Sequence, residues 1–277
     1  MLKKKSLLWQ LSGSELPGNS YLFGTMHVHD SRAFALMPLL EKYIAACDRF
    51  VAEYNLAETR EVSEEVLQLL ASPIPWAEQL GERKFQKIRR ILKKTTGIDV
   101  EQYRKLLPFF IVQQLSHRIL PFQEDMPLDL RLFTYAEKLG KELDGIESWK
   151  GQFNYIQNIP IEKQIKMLVD FARHPASVRK QYKRLITLYQ QQDIYRLHRS
   201  LKKQSGHYRK KLLYERNFKM ADRIHELCQT GRTFTAVGAG HLTGGKGLIR
   251  LLKHKGLTVK AILPEPELVP SSSFNES

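Results

Sequence analysis

Two stretches decide the fold: Ser20-Tyr21-Leu22-Phe23-Gly24-Thr25-Met26-His27 and Thr233-Phe234-Thr235-Ala236-Val237-Gly238-Ala239-Gly240-His241. Each opens on a short run of apolar and β-branched residues that reads as a strand, and each ends on Gly-x-x-His. After the first, Leu36, Leu39, Leu40, Tyr43, Ile44 and Cys47 recur at helical spacing, with Pro38 near the start of the run, where proline is tolerated. Arg49 to Tyr54 then reads as a second strand. After the second, Gly247 to Lys255 reads as a helix stopped by Gly256, and Leu257 to Leu263 as a strand closed by Pro264. The strands of a strand–helix–strand unit run parallel in one sheet. The expected fold is α/β: a central mixed sheet built from N- and C-terminal units, each carrying a Gly-x-x-His turn, with a large helical insertion between them.

The insertion, about residues 57–230, carries helical periodicity over Ala57–Leu70, Gly81–Lys94, Pro108–Ile119, Leu128–Leu139, Ile161–Ala172, Ala176–Tyr195 and from about Tyr208 to Cys228. Glu142 to Ile146 is a candidate short strand ending at Glu147. One domain over 1–263 is expected, followed by a flexible tail at 264–277, rich in proline and serine.

Composition narrows the function. The chain has 277 residues, 42% of them apolar, which excludes disorder as the main state. The start, Met1 to Trp9, is basic but too short in apolar residues for a secretory leader, and no run is long enough to cross a bilayer, so a cytoplasmic protein is expected. The net charge of +15 is concentrated: Arg173 to Arg223 holds 15 Lys and Arg against three acids. Such a run reads as the solvated faces of helices forming a wall beside the site. Its few tyrosines follow apolar spacing instead of forming a stacking platform, so nucleic acid is not the expected partner. Cys47 and Cys228 cannot form a cysteine-rich metal site, which leaves histidine and carboxylate.

His27 and His241 are expected just past the carboxyl ends of parallel strands, where open α/β sheets bind ligands. The glycine three residues before each histidine is expected to allow a sharp turn. Glu53 and Glu147 end two further strands, so two histidines and two glutamates converge if those strands share a sheet. An imidazole pair plus a carboxylate is a common catalytic-metal set with a position left open for water. Without thiolate it suits manganese, cobalt or zinc. Arg216 and Asn217 are candidates to polarise a carbonyl or bind a substrate carboxylate, with a helix-surface pairing of Arg216 with Asp222 or Glu215 as the alternative. Gln152, five residues after Glu147, is a candidate supporting hydrogen-bonding group or a plain loop polar residue. Asp30 reads as a cap. The glycines at 238, 240, 244, 245 and 247 match neither the dinucleotide nor the P-loop spacing, and are expected to hold His241 and supply anion-stabilising N–H groups.

These motifs, Gly24-Thr25-Met26-His27, Val51-Ala52-Glu53, Gly145-Ile146-Glu147 with Gln152, Arg216-Asn217 and Gly238-Ala239-Gly240-His241, resemble the TraB/GumN family, which is related to the Tiki metalloproteases. The resemblance runs from about residue 9 to 263. It implies a metal-dependent peptidase with His27, His241 and Glu53 as ligands of a divalent ion (manganese or cobalt in Tiki-type members), and Glu147, Arg216 and Asn217 on motif positions. The expected function is hydrolysis of a peptide substrate through a metal-activated water, with Glu53 or Glu147 as general base. The alternative is a peptide-binding protein of the same fold without turnover.

Overall fold

Thr233 to Val237 is buried residue by residue, and so is Ser20 to Thr25, as expected of interior strands covered on both faces. They form β5 (Thr233–Gly238) and β2 (Ser20–Thr25) at the centre of a six-stranded sheet of order β4-β3-β5-β2-β1-β6. In this computed structural model the described residues are 4–59, 68–205 and 210–263. β3 (Arg49–Ala52) and β2 flank β5, both parallel to it, and β4 (Glu142–Gly145) is parallel to β3. β1 (Leu8–Ser12) lies antiparallel to both β2 and β6 (Thr258–Ile262). The sheet is therefore mixed, with β1 the one reversed strand. Both strand–helix–strand units are present, through α1 (Met37–Ala45) and a C-terminal helix at Leu248–His254.

The segment between β3 and β5 is largely helical. It contains α2 (Trp76–Leu80), α3 (Glu82–Thr96), α4 (Pro108–Arg118), α5 (Leu128–Lys138), α6 (Trp149–Gln157), α7 (Ile161–Arg173), α8 (Pro175–Gln190), α9 (Ile194–Ser205) and α10 (Arg216–Thr230); α11 is Leu248–His254. Leu128, Leu132 and Phe133 of α5 and Met220, Ile224 and Leu227 of α10 join the strands in one core. A second apolar cluster, with Trp76, Phe85, Leu115, Leu168 and Phe171 among its members, ties α2, α3, α4 and α7 together.

The long helix expected over 176–195 is two helices. Gln192 adopts a left-handed φ of 53°, and the Asp193 carboxylate then accepts from Arg196 N–H, which caps α9. Gln192 in turn accepts from Leu7 N–H, fixing this corner against the start of β1. The last helix of the insertion begins as a π-helical turn, Lys210–Glu215, directly before Arg216. Residues 60–67, within the helix expected over 57–70, and the tail at 264–277 lie outside the described residues.

Candidate functional site

Because β2, β5, β3 and β4 run the same way, their carboxyl ends share one rim. Gly24 pairs with Val237 and Thr25 with Gly238, so the two Gly-x-x-His motifs are neighbours, nearly in register. Glu53 follows β3 directly. The ladder continues past β4, with Ile146 N–H donating to Ala52 O and Glu147 N–H to Glu53 O. That places the two glutamates side by side.

Neither motif glycine has a positive φ. Both are needed for close approach, not for the sharp turn expected from the sequence. A Cβ on Gly24 would sit 2.6 Å from Leu242 Cδ1 and 3.0 Å from Ala239 Cα, so the first glycine makes room for the segment carrying the second histidine. A Cβ on Gly238 would sit 3.0 Å from Glu53 Oε1, the oxygen that accepts from Gly238 N–H at 2.7 Å. That N–H therefore serves the chain's own carboxylate instead of standing free for an anion. Tyr189 Oη, buried in α8, donates to Gly24 O at 2.7 Å and holds the end of β2 in place.

His241 is buried. Its Nδ1 lies 2.5 Å from Asn217 Oδ1, while Asn217 Nδ2 donates to Lys246 O at 2.6 Å. The amide is thereby oriented with its oxygen toward the ring, so Nδ1 carries the proton and Nε2 is the acceptor. Burial pulls the imidazole down to about 4, so it is neutral near pH 7. Nε2 faces Glu53 Oε1 at 3.9 Å.

Arg216 is buried between the two glutamates. Its Nη2 donates to Glu53 Oε2 at 2.9 Å and its Nε to Glu147 Oε2 at 2.8 Å. The helix-surface pairing of Arg216 with Asp222 or Glu215, open from sequence, is not what forms. Gln152 Nε2 donates to Glu53 Oε2 at 3.0 Å, so Gln152 is a hydrogen-bonding group of the site and not a plain loop polar residue, and its partner is Glu53. Burial pushes the Glu53 carboxyl up, but the Arg216 charge and the Gly238 N–H outweigh it and hold the group at about 2. For Glu147 burial prevails, assisted by the Glu53 charge, and its pKa stays above the ordinary value despite Arg216. Two adjacent carboxylates are thus pushed in opposite directions.

His27 is placed differently. Its side chain is 55% exposed, and Nδ1 lies 2.6 Å from both carboxylate oxygens of Asp129. The His117 ring stands edge-on to it at 4.5 Å. His29 bonds Glu124 O through Nδ1 and stacks on Phe122, and Asp30 caps the short 3-10 turn at Ser31–Phe34. Neither Asp129 nor His117 was singled out from sequence, since they stand 102 and 90 residues from His27 with no local motif to mark them.

A cavity of about 720 Å³ opens at this rim. Glu53, His27, Asp129 and His117 line its polar end. Phe109 and Phe110 of α4, Phe153 and Ile156 of α6, Met167 of α7 and Tyr182 of α8 line the apolar remainder. His241, Glu147 and Arg216 are not in its wall; Glu53 is the group that joins the cavity to that buried cluster.

The donor chemistry fits a divalent cation: one neutral imidazole with Nε2 as acceptor, one fully ionised carboxylate, and two buried thiols that burial pushes up to about 12 (Cys47) and about 11 (Cys228) and so keeps protonated. The geometry is partial. Among the described residues no three His, Cys, Asp or Glu side chains are gathered closely enough to hold an ion. His241 and Glu53 face each other, and the His27 imidazole is engaged with Asp129.

Residues 7–261 match the family model described as TraB/PrgY/gumN, nearly the whole chain. No match was found among curated proteins or among solved structures. Among the described residues no helix is long and apolar enough to cross a membrane.

Proposed function

The chain belongs to the TraB/PrgY/gumN family, and from that premise we propose that it is a metal-dependent hydrolase acting on peptides. The observation that carries the reading is the His241–Glu53 pair: two acceptors facing each other at 3.9 Å, each locked by its own hydrogen bonds, an arrangement that a cation completes. His241 and Glu53 would hold the ion, with His27, at the same rim and bound to Asp129 through Nδ1, brought in as third ligand through Nε2. Manganese, cobalt or zinc fits this set. The ion would supply Lewis-acid polarisation of the scissile carbonyl and a water of lowered pKa.

The chain's own residues divide the remaining work. Glu53, held near 2, stays ionised and suits ligation. Glu147, with its raised pKa, is the better proton carrier at neutral pH. Arg216 ties both carboxylates into one unit and offsets part of their charge. The apolar cavity wall takes a large apolar side chain of the substrate.

The test is turnover of a peptide library, followed by mass spectrometry, with and without each of the three metals. Cleavage is expected with metal, with a loss of about 10²-fold or more in Glu147→Gln. Peptides bound but recovered intact under every metal would favour the second reading, capture without turnover. The observation on its side is that the three ligands are not gathered.

A further inference from the structure

We infer that Asp129 is the positioning residue of His27, the counterpart of Asn217 at His241. Each Gly-x-x-His histidine is gripped through Nδ1 by an oxygen from a distant helix, and each gripping residue is the second of its helix: Asp129 in α5 and Asn217 in α10. The consequence is the same on both rings: the proton is fixed on Nδ1 and Nε2 is left as the donor atom.

Three observations support a dedicated role for Asp129. It stands in the first turn of α5, where the helix dipole favours an ionised carboxylate, and both of its oxygens lie 2.6 Å from His27 Nδ1. Arg131, the nearby cation of the same helix, pairs with Glu124 and Asp125 instead. Asp129, His27 and Glu53 line one cavity, and the His117 ring packed edge-on against His27 further limits its rotation. As a rule, a ligating histidine donates its second nitrogen to a carboxylate or carbonyl; here the carboxylate is in place on the histidine that has yet to join its partners.

This inference rests on the metal reading, and two measurements separate their failures. In ¹⁵N-histidine-labelled full-length protein, above the pH range of imidazole titration, the His27 resonances (assigned by their loss in His27→Gln) are expected to show the Nδ1–H tautomer. Asp129→Ala is expected to shift them toward Nε2–H and weaken Co²⁺ binding roughly 10–100-fold, with thermal unfolding unchanged. Asp129→Asn keeps an acceptor oxygen and is expected to retain most of both properties. An Nε2–H tautomer in the wild type, or the same tautomer and Co²⁺ affinity in Asp129→Ala, overturns the positioning role. Co²⁺ held equally by wild type and His27→Gln overturns the ligand reading, and with it the purpose given to Asp129, whatever the tautomer.

Discussion

Arg216 is the side chain on which the site depends for its stability. It is 7% exposed and meets two carboxylates that, among the described residues, have no other cation in ion-pair contact, the His241 ring at 3.9 Å from Glu53 being neutral. Arg216→Met is expected to lower the unfolding free energy by about 2–4 kcal/mol, because it strands two half-buried negative charges; urea denaturation measures it, and a loss under about 1 kcal/mol would contradict the arrangement. The histidines set the pH dependence. His241 and His117 are both pulled by burial from 6.5 to about 4, so the unfolded chain binds more protons between those values. Stability contributed by the two groups is therefore present above about pH 6.5 and lost as the pH falls toward 4. His27, whose partial desolvation is outweighed by the Asp129 charge so that its pKa is raised, works in the opposite sense, its contribution being lost as the pH rises through its folded value. The net expectation is acid destabilisation, and His241→Gln should flatten the slope of unfolding free energy between pH 6.5 and 4, by on the order of 3 kcal/mol in total. A slope unchanged by that substitution would show that His241 is not held neutral. At this scale the sequence was informative wherever a residue sat in a motif at a strand end. His27, Glu53, Glu147 and His241 were all legible. Asp129 and His117 were not, because an acid after Pro127 looks like any helix start, and a histidine at the end of an amphipathic helix looks like a C-terminal charge.

The elements bring distant residues together through close approach of backbone. Gly24 lets the Ala239–Leu242 segment rest on β2, which explains why one motif requires the other. Gly24→Ala is expected to cost about 1–3 kcal/mol by overpacking. In combination with Leu242→Ala the loss should be smaller than the sum of the two single losses, since the nearest clash is with Leu242 Cδ1; strict additivity would mean the contact is not what matters. Five of the six strands could be read from sequence, because apolar runs bounded by glycine, proline or a charged turn mark them. β1 escaped because Leu7-Leu8-Trp9 follows three lysines and was weighed only as a failed leader, although Leu8–Ser12 pairs on both sides. The break between α8 and α9 carries no glycine or proline; it is made by a left-handed Gln192 and the Asp193 cap, signals too local for a periodicity reading to weigh. Trp76–Leu80 escapes a periodicity reading because five residues make little more than one turn, and Trp149–Gln157 because its polar, glycine-containing stretch buries only Trp149 and Ile156.

At the scale of the molecule, the cavity lies where the sheet's carboxyl rim meets helices of the insertion. Its polar end comes from strand ends and from α4 and α5, and its apolar wall from α4, α6, α7 and α8. Phe110 and Phe153, edge-on at 5.3 Å, are central to that wall. Phe153→Ala is expected to weaken binding of peptides with a large apolar residue while leaving metal affinity unchanged; a joint loss of both would show that the wall and the metal centre are not separate. Of the basic run, Lys180, Lys183 and Arg184 are exposed on α8, whose Tyr182 lines the cavity. The central claim is that the paired motifs and Glu53 form one metal centre, and metal stoichiometry tests it most directly. Purified protein, stripped and then titrated with Co²⁺ or Mn²⁺, is predicted to bind one ion per chain, with binding much weakened in His27→Ala, His241→Ala and Glu53→Ala alike. A protein that binds no ion, or whose ion is held as tightly after His241→Ala as before, would contradict it.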